Sequence, residues 1–318
     1  MRELIIHKND AGQRLDRFLL KAVPLLPASL AQKYIRLKRI KVNGTRAERD
    51  YRLCEGDTLQ LYLNDEFFET PSEENAYLTI ANPRLHIIYE DENIMLLDKP
   101  AGMVVHADEN EQVNTLVNHM LAYLYQRREW RPREENAFTP ALCNRIDRNT
   151  GGIVIAAKNA EALRILNEKI RERELSKFYL CICLGRPEPP KGRIECFLRK
   201  DEKTNTVRIY HHPVADGRSA VTLYETLETR ERLSLVEIEL LTGRTHQIRA
   251  SFADMGHPLL GDGKYGVGSV NRRYGETQQA LYSYRLRFDF PTDAGILNYL
   301  RGREFIADEI PFRRKYFT

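Results

Sequence analysis

The sequence predicts an α+β protein in which a small N-terminal α/β domain precedes a larger domain built on a mixed, largely antiparallel central sheet. Three observations lead to this fold class. The chain has 318 residues, 42% of them hydrophobic, which is enough for more than one core. Many short apolar or alternating segments are typical of strands, whereas few segments have helical periodicity. An acidic, aperiodic segment at residues 66–76 predicts a linker between the two domains.

The small domain is predicted over residues 1–65. Its first helix is indicated by the sequence RLDRFL, whose apolar positions have the spacing of one helix face. Ser29, followed three residues later by Gln32, matches a capping box and predicts the start of a second helix. A strand at residues 40–43 should end in an Asn-Gly turn, and a second turn, EGD, should lead into an alternating strand. These elements place the core of the domain at about residues 12–63.

Positive charge is concentrated in this domain. Between Gly12 and Tyr62 there are 11 Lys and Arg against 5 Asp and Glu, a local excess that is larger than the net charge of +4 of the whole chain. Five positive charges fall within nine residues that contain no acid: Lys33, Arg36, Lys38, Arg39 and Lys41. A solvated helix face usually mixes its signs, so we interpret this set as a surface for the phosphate oxygens of RNA.

The larger domain is predicted over residues 77–318. The predicted elements, in order, are strands at 85–89 and 93–97, a helix at 116–125, a charged insertion at 127–137, a strand at 153–157, a helix at 159–173, strands at 175–183, 192–210, 220–228 and 237–241, and a helical stretch that ends at Met255.

A charged loop precedes the apolar strand at 153–157. In its sequence, NRIDRNTGG, Asp147 is flanked by Arg145 and Arg148, whose charges favour the ionised carboxylate. The following strand can hold this carboxylate in a fixed position, as a nucleophile requires. The alternative is an Asp in a charged turn that hydrogen-bonds its own backbone.

Several classes of protein are disfavoured. No apolar run approaches the roughly 20 residues of a membrane span, and the N-terminal residues lack the apolar core of a secretory signal, so we expect a soluble cytoplasmic protein. The odd number of cysteines and the lack of a CxxC pair fit a reducing compartment. Cys181 and Cys183 alternate in an apolar strand, and His246 lacks a partner at metal-ligand spacing, so no metal site is predicted.

The loop with Asp147 resembles the catalytic motif of the RluA-type pseudouridine synthases. Asn144 stands where that family usually has His, and Gly151 where it has Ser. Four more segments, LLDKPAGMVVH, KFY, TGRTHQIR and GHPLLGD, are similar to family elements in the same order. RLDRFL, IKVNG and EGD near the N-terminus resemble the RNA-binding domain shared with ribosomal protein S-four. The resemblance covers nearly the full chain.

The resemblance implies a pseudouridine-synthase fold and an enzyme that isomerises uridine to pseudouridine in RNA, most of all large-subunit ribosomal RNA. It implies Asp147 as the essential carboxylate, Arg244 as its partner, Tyr179 on the uracil and Arg145 in displacing the base. Without the resemblance, Tyr179 would be interpreted as an aromatic core residue and Lys99 as a turn residue. Because the isomerisation exchanges no electrons and no outside groups, no cofactor is expected.

The expected partner is RNA, free or within pre-ribosomal particles, and we expect a monomer that does not bind membranes. A second hypothesis is a catalytically silent ribosome-assembly protein, which the unusual Asn144 and Gly151 keep open. A metal-dependent nuclease is a third class, but the sequence lacks the clustered acids or histidines that it would need.

Overall fold

The computed structural model describes residues 1–7, 10–70, 72–132 and 138–317. Its contacts divide the chain into two compact units. The first unit comprises Met1–Arg84 and His106–Glu129, and the second comprises Leu85–Val105 and Trp130–Thr318. The helix predicted at 116–125 therefore belongs to the first unit, although the sequence assigned it to the larger domain.

The first unit begins with a four-stranded sheet and two helices. Its elements are β1 (Arg2–Ile5), α1 (Leu15–Ala22), α2 (Ala28–Arg36), β2 (Ile40–Val42), β3 (Thr45–Arg46) and β4 (Thr58–Leu61). The strands pair antiparallel in the order β1-β4-β2-β3. The helices bury one apolar face each, through Leu15, Phe18 and Leu19 on α1 and Leu30 and Ile35 on α2, as the predicted amphipathic patterns require.

Local turn chemistry was predicted with mixed success in this unit. Asn43 and Gly44 both have positive φ, 50° and 74°, which confirms the hairpin turn between β2 and β3. The predicted capping box was wrong. The helix α2 starts at Ala28 with Pro27 at the N-cap position, so Ser29 lies inside the first turn and does not cap it.

The acidic segment at 66–76 differs from the expected linker. It contains parts of two 3-10 helices, Asp65–Phe68 and Glu73–Thr79, and the backbone N–H of Ser72 donates to Asn75 Oδ1 at 2.7 Å. The side chains of Phe67 and Ala76 are buried. The linker was predicted from the acidic composition and the lack of periodicity, and neither feature indicates that Phe67 and Ala76 are buried.

These buried residues pack against α3 (Leu116–Arg127), which also belongs to the first unit. The ring of Phe67 lies edge-on to that of Tyr125, with 6.4 Å between centroids. Thr115 is the N-cap of α3 and accepts a hydrogen bond from Asn118 N at 3.2 Å. The region that the sequence divides between linker and larger domain thus forms part of one core.

The second unit is organised on one large sheet. Its strands are β5 (Ile87–Glu90), β6 (Ile94–Lys99), β7 (Ala141–Leu142), β8 (Gly151–Ala157), β9 (Leu175–Leu184), β10 (Lys191–Asp201), β11 (Thr206–Tyr210), β12 (Arg218–Arg230), β13 (Leu233–Leu240), β14 (Leu281–Phe288) and β15 (Glu304–Ile306). The main path runs β11-β10-β12-β13-β9-β14-β8-β6-β5, with β7 on β8 and β15 on β14. Only β8 and β14 pair in parallel among the described strands, which confirms the mixed, largely antiparallel sheet.

Helices of this unit are α4 (Ala160–Arg171), α5 (Gln247–Asp254), α6 (Gly268–Tyr274) and α7 (Pro311–Tyr316). Helix α4 follows β8 directly, and Asn159 caps it by accepting from Ala162 N at 2.9 Å. Its buried Leu166 joins Ile155 of β8 and Phe288 of β14 in the main core. Within the described ranges, no helix is long and apolar enough to cross a membrane.

The glycine pair at the start of β8 is explained by its contact with β14. Gly151 pairs with Tyr282 and Gly152 with Ser283. A Cβ at Gly151 would collide with the ring of Tyr282, and a Cβ at Gly152 would collide with the backbone carbonyl of Ser283. Gly152 also has a φ of 110°, which L side chains rarely adopt. The pair therefore allows the loop before β8 to lie directly against β14.

Candidate active site

The loop that precedes β8 is held to that strand by its own polar groups. Asn144 Oδ1 accepts a hydrogen bond from Ile155 N at 2.8 Å, and Cys143 N donates to Ile155 O at 2.7 Å. Thr150 N donates to Asp147 O at 3.0 Å and closes a turn within the loop. Asn144, which replaces the usual His of the motif, therefore has a structural role here: its side chain anchors the loop that carries Asp147.

Asp147 is half-buried, with 26% of its side chain exposed, and its carboxylate is part of an ion pair. Arg249 Nη1 donates to Asp147 Oδ2 at 2.8 Å, and His246 Nε2 lies 3.9 Å from the same oxygen. The expected partner, Arg244, is not the one that the structure pairs with Asp147. Its Nε donates instead to the carbonyl of Ser219 at 3.2 Å. The predicted pair is thus corrected to Asp147 with Arg249.

Arg249 is fixed from the opposite side by Asp262. Its Nε donates to Asp262 Oδ2 at 2.7 Å and its Nη2 to Oδ1 at 2.9 Å, a bidentate pair in which Arg249 is 6% exposed and Asp262 is fully buried. Burial alone would raise the pKa of Asp262, but the hydrogen bonds and charge of Arg249 lower it overall. With two nitrogens held in this way, the third nitrogen of the guanidinium is oriented toward Asp147.

His246 lies beside this pair as a neutral side chain. Burial lowers its pKa to about 4, although the charge of Asp147 opposes the shift. Its Nδ1 is 2.9 Å from Tyr265 Oη, and the two rings meet edge-on with 5.6 Å between centroids. At neutral pH the positive charge beside Asp147 therefore comes from Arg249 and not from His246.

Lys99, at the end of β6, connects the turn after that strand to the loop that carries Asp147. It is fully buried, and its Nζ donates to the carbonyls of Pro100, Met103 and Arg148 at 2.8 to 2.9 Å. Burial lowers its pKa to about 7, against the attraction of Asp147 and Asp98. Gly102 N donates to the same Arg148 carbonyl at 2.8 Å. Lys99 is therefore a positioning residue for the loop as well as part of a turn.

A cavity of about 360 Å³ opens beside Asp147. The four residues singled out from the second unit's motifs all line it: Arg145, Asp147, Tyr179 and Arg244. Tyr179, on β9, is buried, and burial raises its pKa to about 12, so its hydroxyl is protonated at neutral pH. Arg145 is exposed and Arg244 half-buried, which leaves both guanidinium groups accessible to a ligand.

This arrangement combines a fixed carboxylate, a neutral phenol and accessible guanidinium groups around one cavity. The carboxylate can act as a nucleophile or a base, and the phenol can pack on a planar ring and donate a proton. Among the residues that the structure describes, no three or more His, Cys, Asp and Glu side chains are grouped so that they could hold a metal ion.

The five basic residues predicted to bind RNA lie in the first unit, and we call them the basic surface: Lys33, Arg36, Lys38, Arg39 and Lys41. Arg39 lies over the ring of Tyr34 at 5.2 Å, and Lys41 over that of Tyr62 at 5.4 Å. All five are exposed or half-buried, and none forms an ion pair with another residue in the described part of the chain.

Comparison with known families gives two matches along the chain. A model described as RNA pseudouridylate synthase matches residues 93–254, and an S4 domain model matches residues 13–59. The chain belongs to the RNA pseudouridylate synthase family. This family isomerises uridine to pseudouridine in RNA, so the resemblance found in the sequence motifs is confirmed, together with the enzyme class and the RNA substrate.

Individual relatives agree with this family. An uncharacterized RNA pseudouridine synthase of Mycoplasma genitalium is 32% identical over 289 residues, which cover 90% of this chain and 88% of the relative. Ribosomal large subunit pseudouridine synthase C of Haemophilus ducreyi is 31% identical over 296 residues, covering 91% and 88%. The solved structure of human RNA pseudouridylate synthase domain containing 1 has the same fold, with a TM-score of 0.56, 21% identity and coverage of 76% and 86%.

Sequence reasoning missed three residues that position Asp147 or its loop: Arg249, Asp262 and the buried Lys99. The sequence carries no clear signal for Arg249, because the run QIRASF is not apolar throughout, but the structure shows that all six of its residues are buried in α5. A cation in such a helix needs a buried carboxylate. The sequence does not say which of the 45 Asp and Glu residues supplies it.

Proposed function

We propose that this synthase modifies uridines of large-subunit ribosomal RNA, with Asp147 as the reacting carboxylate. The observation that carries the role of Asp147 is its position: it faces the cavity of the second unit and is oriented by the buried Arg249–Asp262 pair. The substrate class is supported by relatives named ribosomal large subunit pseudouridine synthase C.

The isomerisation breaks the bond between the ribose C1′ and N1 of uracil and forms a bond between C1′ and C5. One proton leaves C5 and N1 gains one, so atoms and electrons balance without a cofactor. Asp147 either attacks C1′ or removes a proton from the sugar so that the base is eliminated. Tyr179 packs on the uracil and, since its hydroxyl is protonated, can donate a proton from that oxygen.

The target base must leave its stack to reach the cavity. Arg145 is exposed beside Asp147, so its side chain can occupy the space that the base vacates. Arg244 lines the same cavity but does not pair with Asp147. We therefore assign it to a contact with a phosphate or a base of the RNA, in place of the pairing with Asp147 that was expected from the sequence.

The remaining RNA contacts are assigned to the basic surface. We propose that residues 1–65 act as an RNA-binding domain, extended by residues 66–84 and 106–129 of the first unit, and that the second unit is the catalytic domain. On this proposal the synthase acts in the cytoplasm as a monomer on ribosomal RNA, free or in pre-ribosomal particles. The S4 domain match supports RNA binding by the N-terminal part.

The test uses large-subunit ribosomal RNA transcribed without modification and incubated with the full chain. We expect pseudouridine at a small number of positions with the wild type and none with Asp147→Asn. RNA binding without product on any large-subunit fragment would instead favour the catalytically silent assembly factor. Product on transfer RNA alone would retain the enzyme but refute the ribosomal substrate.

A further inference from the structure

The first unit contains a cavity of about 240 Å³ that the synthase reaction does not use. It lies between α2, the segment that follows β4, and α3. Its described lining is mostly apolar and aromatic, with Leu30, Tyr34, Phe67, Tyr77 and Tyr125 among the contributors. A cavity of this kind, lined by rings and bordered by a few polar groups, is typical of a ligand site.

The rings around this cavity support one another. Tyr34 meets Phe67 edge-on at 6.4 Å, Phe67 meets Tyr125 at 6.4 Å, and Tyr125 meets Tyr77 at 5.6 Å between centroids. Asn64 Nδ2 donates to Tyr125 Oη at 2.5 Å. Phe67 and Tyr77 are buried, whereas Tyr34 and Tyr125 are partly exposed. The partly exposed rings of Tyr34 and Tyr125 are thus held in place by the buried rings of Phe67 and Tyr77.

The charged residues that line the cavity are all basic. Lys33 and Arg128 are exposed, Arg39 lies over the ring of Tyr34, and the described lining includes no Asp or Glu. Lys33 and Arg39 also belong to the basic surface, so the cavity and this surface are continuous. Basic residues at the edge of a cavity attract a polyanion, and the aromatic rings inside this one can stack on the face of a planar ring.

We propose that this cavity holds one unstacked base of the RNA substrate, with Lys33 and Arg39 on the phosphates beside that base. Aromatic rings and guanidinium planes are the groups on which single-stranded bases stack in RNA-binding proteins. An aromatic side chain of a protein partner could enter the cavity, but it would not explain why the charged residues in the described lining are all basic. This inference rests on the proposed function only for its RNA partner.

The experiment measures equilibrium binding of the full chain to a short oligocytidylate and to an abasic ribose-phosphate oligomer of equal length. Neither contains uridine, so the active-site cavity has no substrate base to select. The wild type should bind oligocytidylate about tenfold more tightly than the abasic oligomer. Tyr34→Leu should lose this preference and bind both oligomers with the affinity that the wild type has for the abasic one.

Tyr62→Leu is the matched control, because Tyr62 also has a basic side chain over its ring but does not line the cavity. It should keep the preference, as should Tyr34→Phe, which retains the ring. Equal binding of the two oligomers by the wild type, or an equal loss in Tyr34→Leu and Tyr62→Leu, would overturn the proposal.

A second measurement is independent of any substitution. Oligocytidylate with one 5-iodocytidine, irradiated in complex with the wild type, should crosslink to Tyr34 or Tyr125. Crosslinks confined to other residues would refute the site, even if Tyr34→Leu failed to fold. Neither readout depends on turnover, so a failure here and a failure to form pseudouridine are separate results.

Discussion

The cavity beside Asp147 in the second unit and the basic surface of the first unit use charge in opposite ways. At the cavity, Asp147, Arg249 and Asp262 form a chain of ion pairs in which two of the three side chains are buried. On the basic surface, five cations are exposed or half-buried and lack ion pairs with other described residues. A buried ion pair fixes one geometry, and the loss of either partner leaves an unpaired buried charge. Exposed charges contribute to ligand binding independently of one another, and salt screens them.

The largest effect should follow from removing the charge at the centre of the cavity. Asp147→Asn keeps the shape and an oxygen for Arg249 but lacks the reacting carboxylate, so turnover should fall by at least about 10³-fold. Folding and RNA binding should be retained. Single-turnover assays on saturating RNA and thermal unfolding measure the two properties. Asp308→Asn, at an exposed position, is the control and should behave as wild type.

Retained activity in Asp147→Asn would refute the catalytic assignment. It would also remove the contrast between the two regions, because the buried pairs would then serve stability alone.

The next largest effect should be on stability. Arg249→Met leaves Asp262 fully buried without its bidentate partner, which should lower the free energy of unfolding by about 3–5 kcal/mol. Arg244→Met removes one hydrogen bond from a half-buried side chain and should change it by less than about 1 kcal/mol. Urea unfolding at neutral pH compares the two variants. Similar losses would mean that the buried Arg249–Asp262 pair contributes no more to stability than the single hydrogen bond of Arg244.

A smaller effect is expected on acidification. The pKa of His246 is lowered to about 4 in the folded state, against about 6.5 in an unfolded chain. Between these values the unfolded state binds more protons, so stability falls as the pH is lowered from 6.5 to 4. This residue should contribute about 1–3 kcal/mol of that loss.

The measurement is the free energy of unfolding at pH 7 and at pH 4.5. His246→Gln should lose less stability on acidification than the wild type, and His212→Gln, at an exposed position, should follow the wild type. If the stability of His246→Gln has the same pH dependence as that of the wild type, then folding does not lower the pKa of His246.

The smallest effect per residue is expected on the basic surface. Reversing the charges of Lys38 and Arg39 should weaken RNA binding severalfold for each residue and lower the slope of log affinity against log salt by about one unit for each lost phosphate contact. Turnover on a saturating short stem-loop should stay near the wild-type value. Arg171→Glu with Lys191→Glu, two exposed cations of the second unit, is the matched control. An equal loss of turnover on long RNA and on the short stem-loop would contradict the assignment of RNA binding to the basic surface and of catalysis to the second unit.

Much of the second unit could be predicted from local pattern. The helix α4 was predicted from its amphipathic face, and β8 and β9 from their apolar runs, because each of these signals lies within one segment. The motif residues Asp147, Tyr179 and Arg244 were expected at one site, and they do line one cavity. The family signature carries that information, since the residues are far apart in the chain.

The choice between Arg244 and Arg249 could not be made from the sequence. Both follow β13 within a few residues, and only the start of α5 decides which one faces Asp147. His246 precedes that helix with a φ of 51°, a left-handed conformation that no simple residue pattern indicates. The partner Asp262 comes from a later loop, and its contact with Arg249 depends on tertiary packing.

The strand β14 also escaped the sequence analysis, although it lies in the middle of the sheet. It joins β9 to β8, and it is one of the last elements of the chain in order. The two glycines at the start of β8 therefore pack against residues that lie far later in the sequence, Tyr282 and Ser283. A fragment that lacks β14 would leave Gly151 and Gly152 without these partners. The position of the loop that carries Asp147 thus depends on long-range contacts as well as on its own sequence.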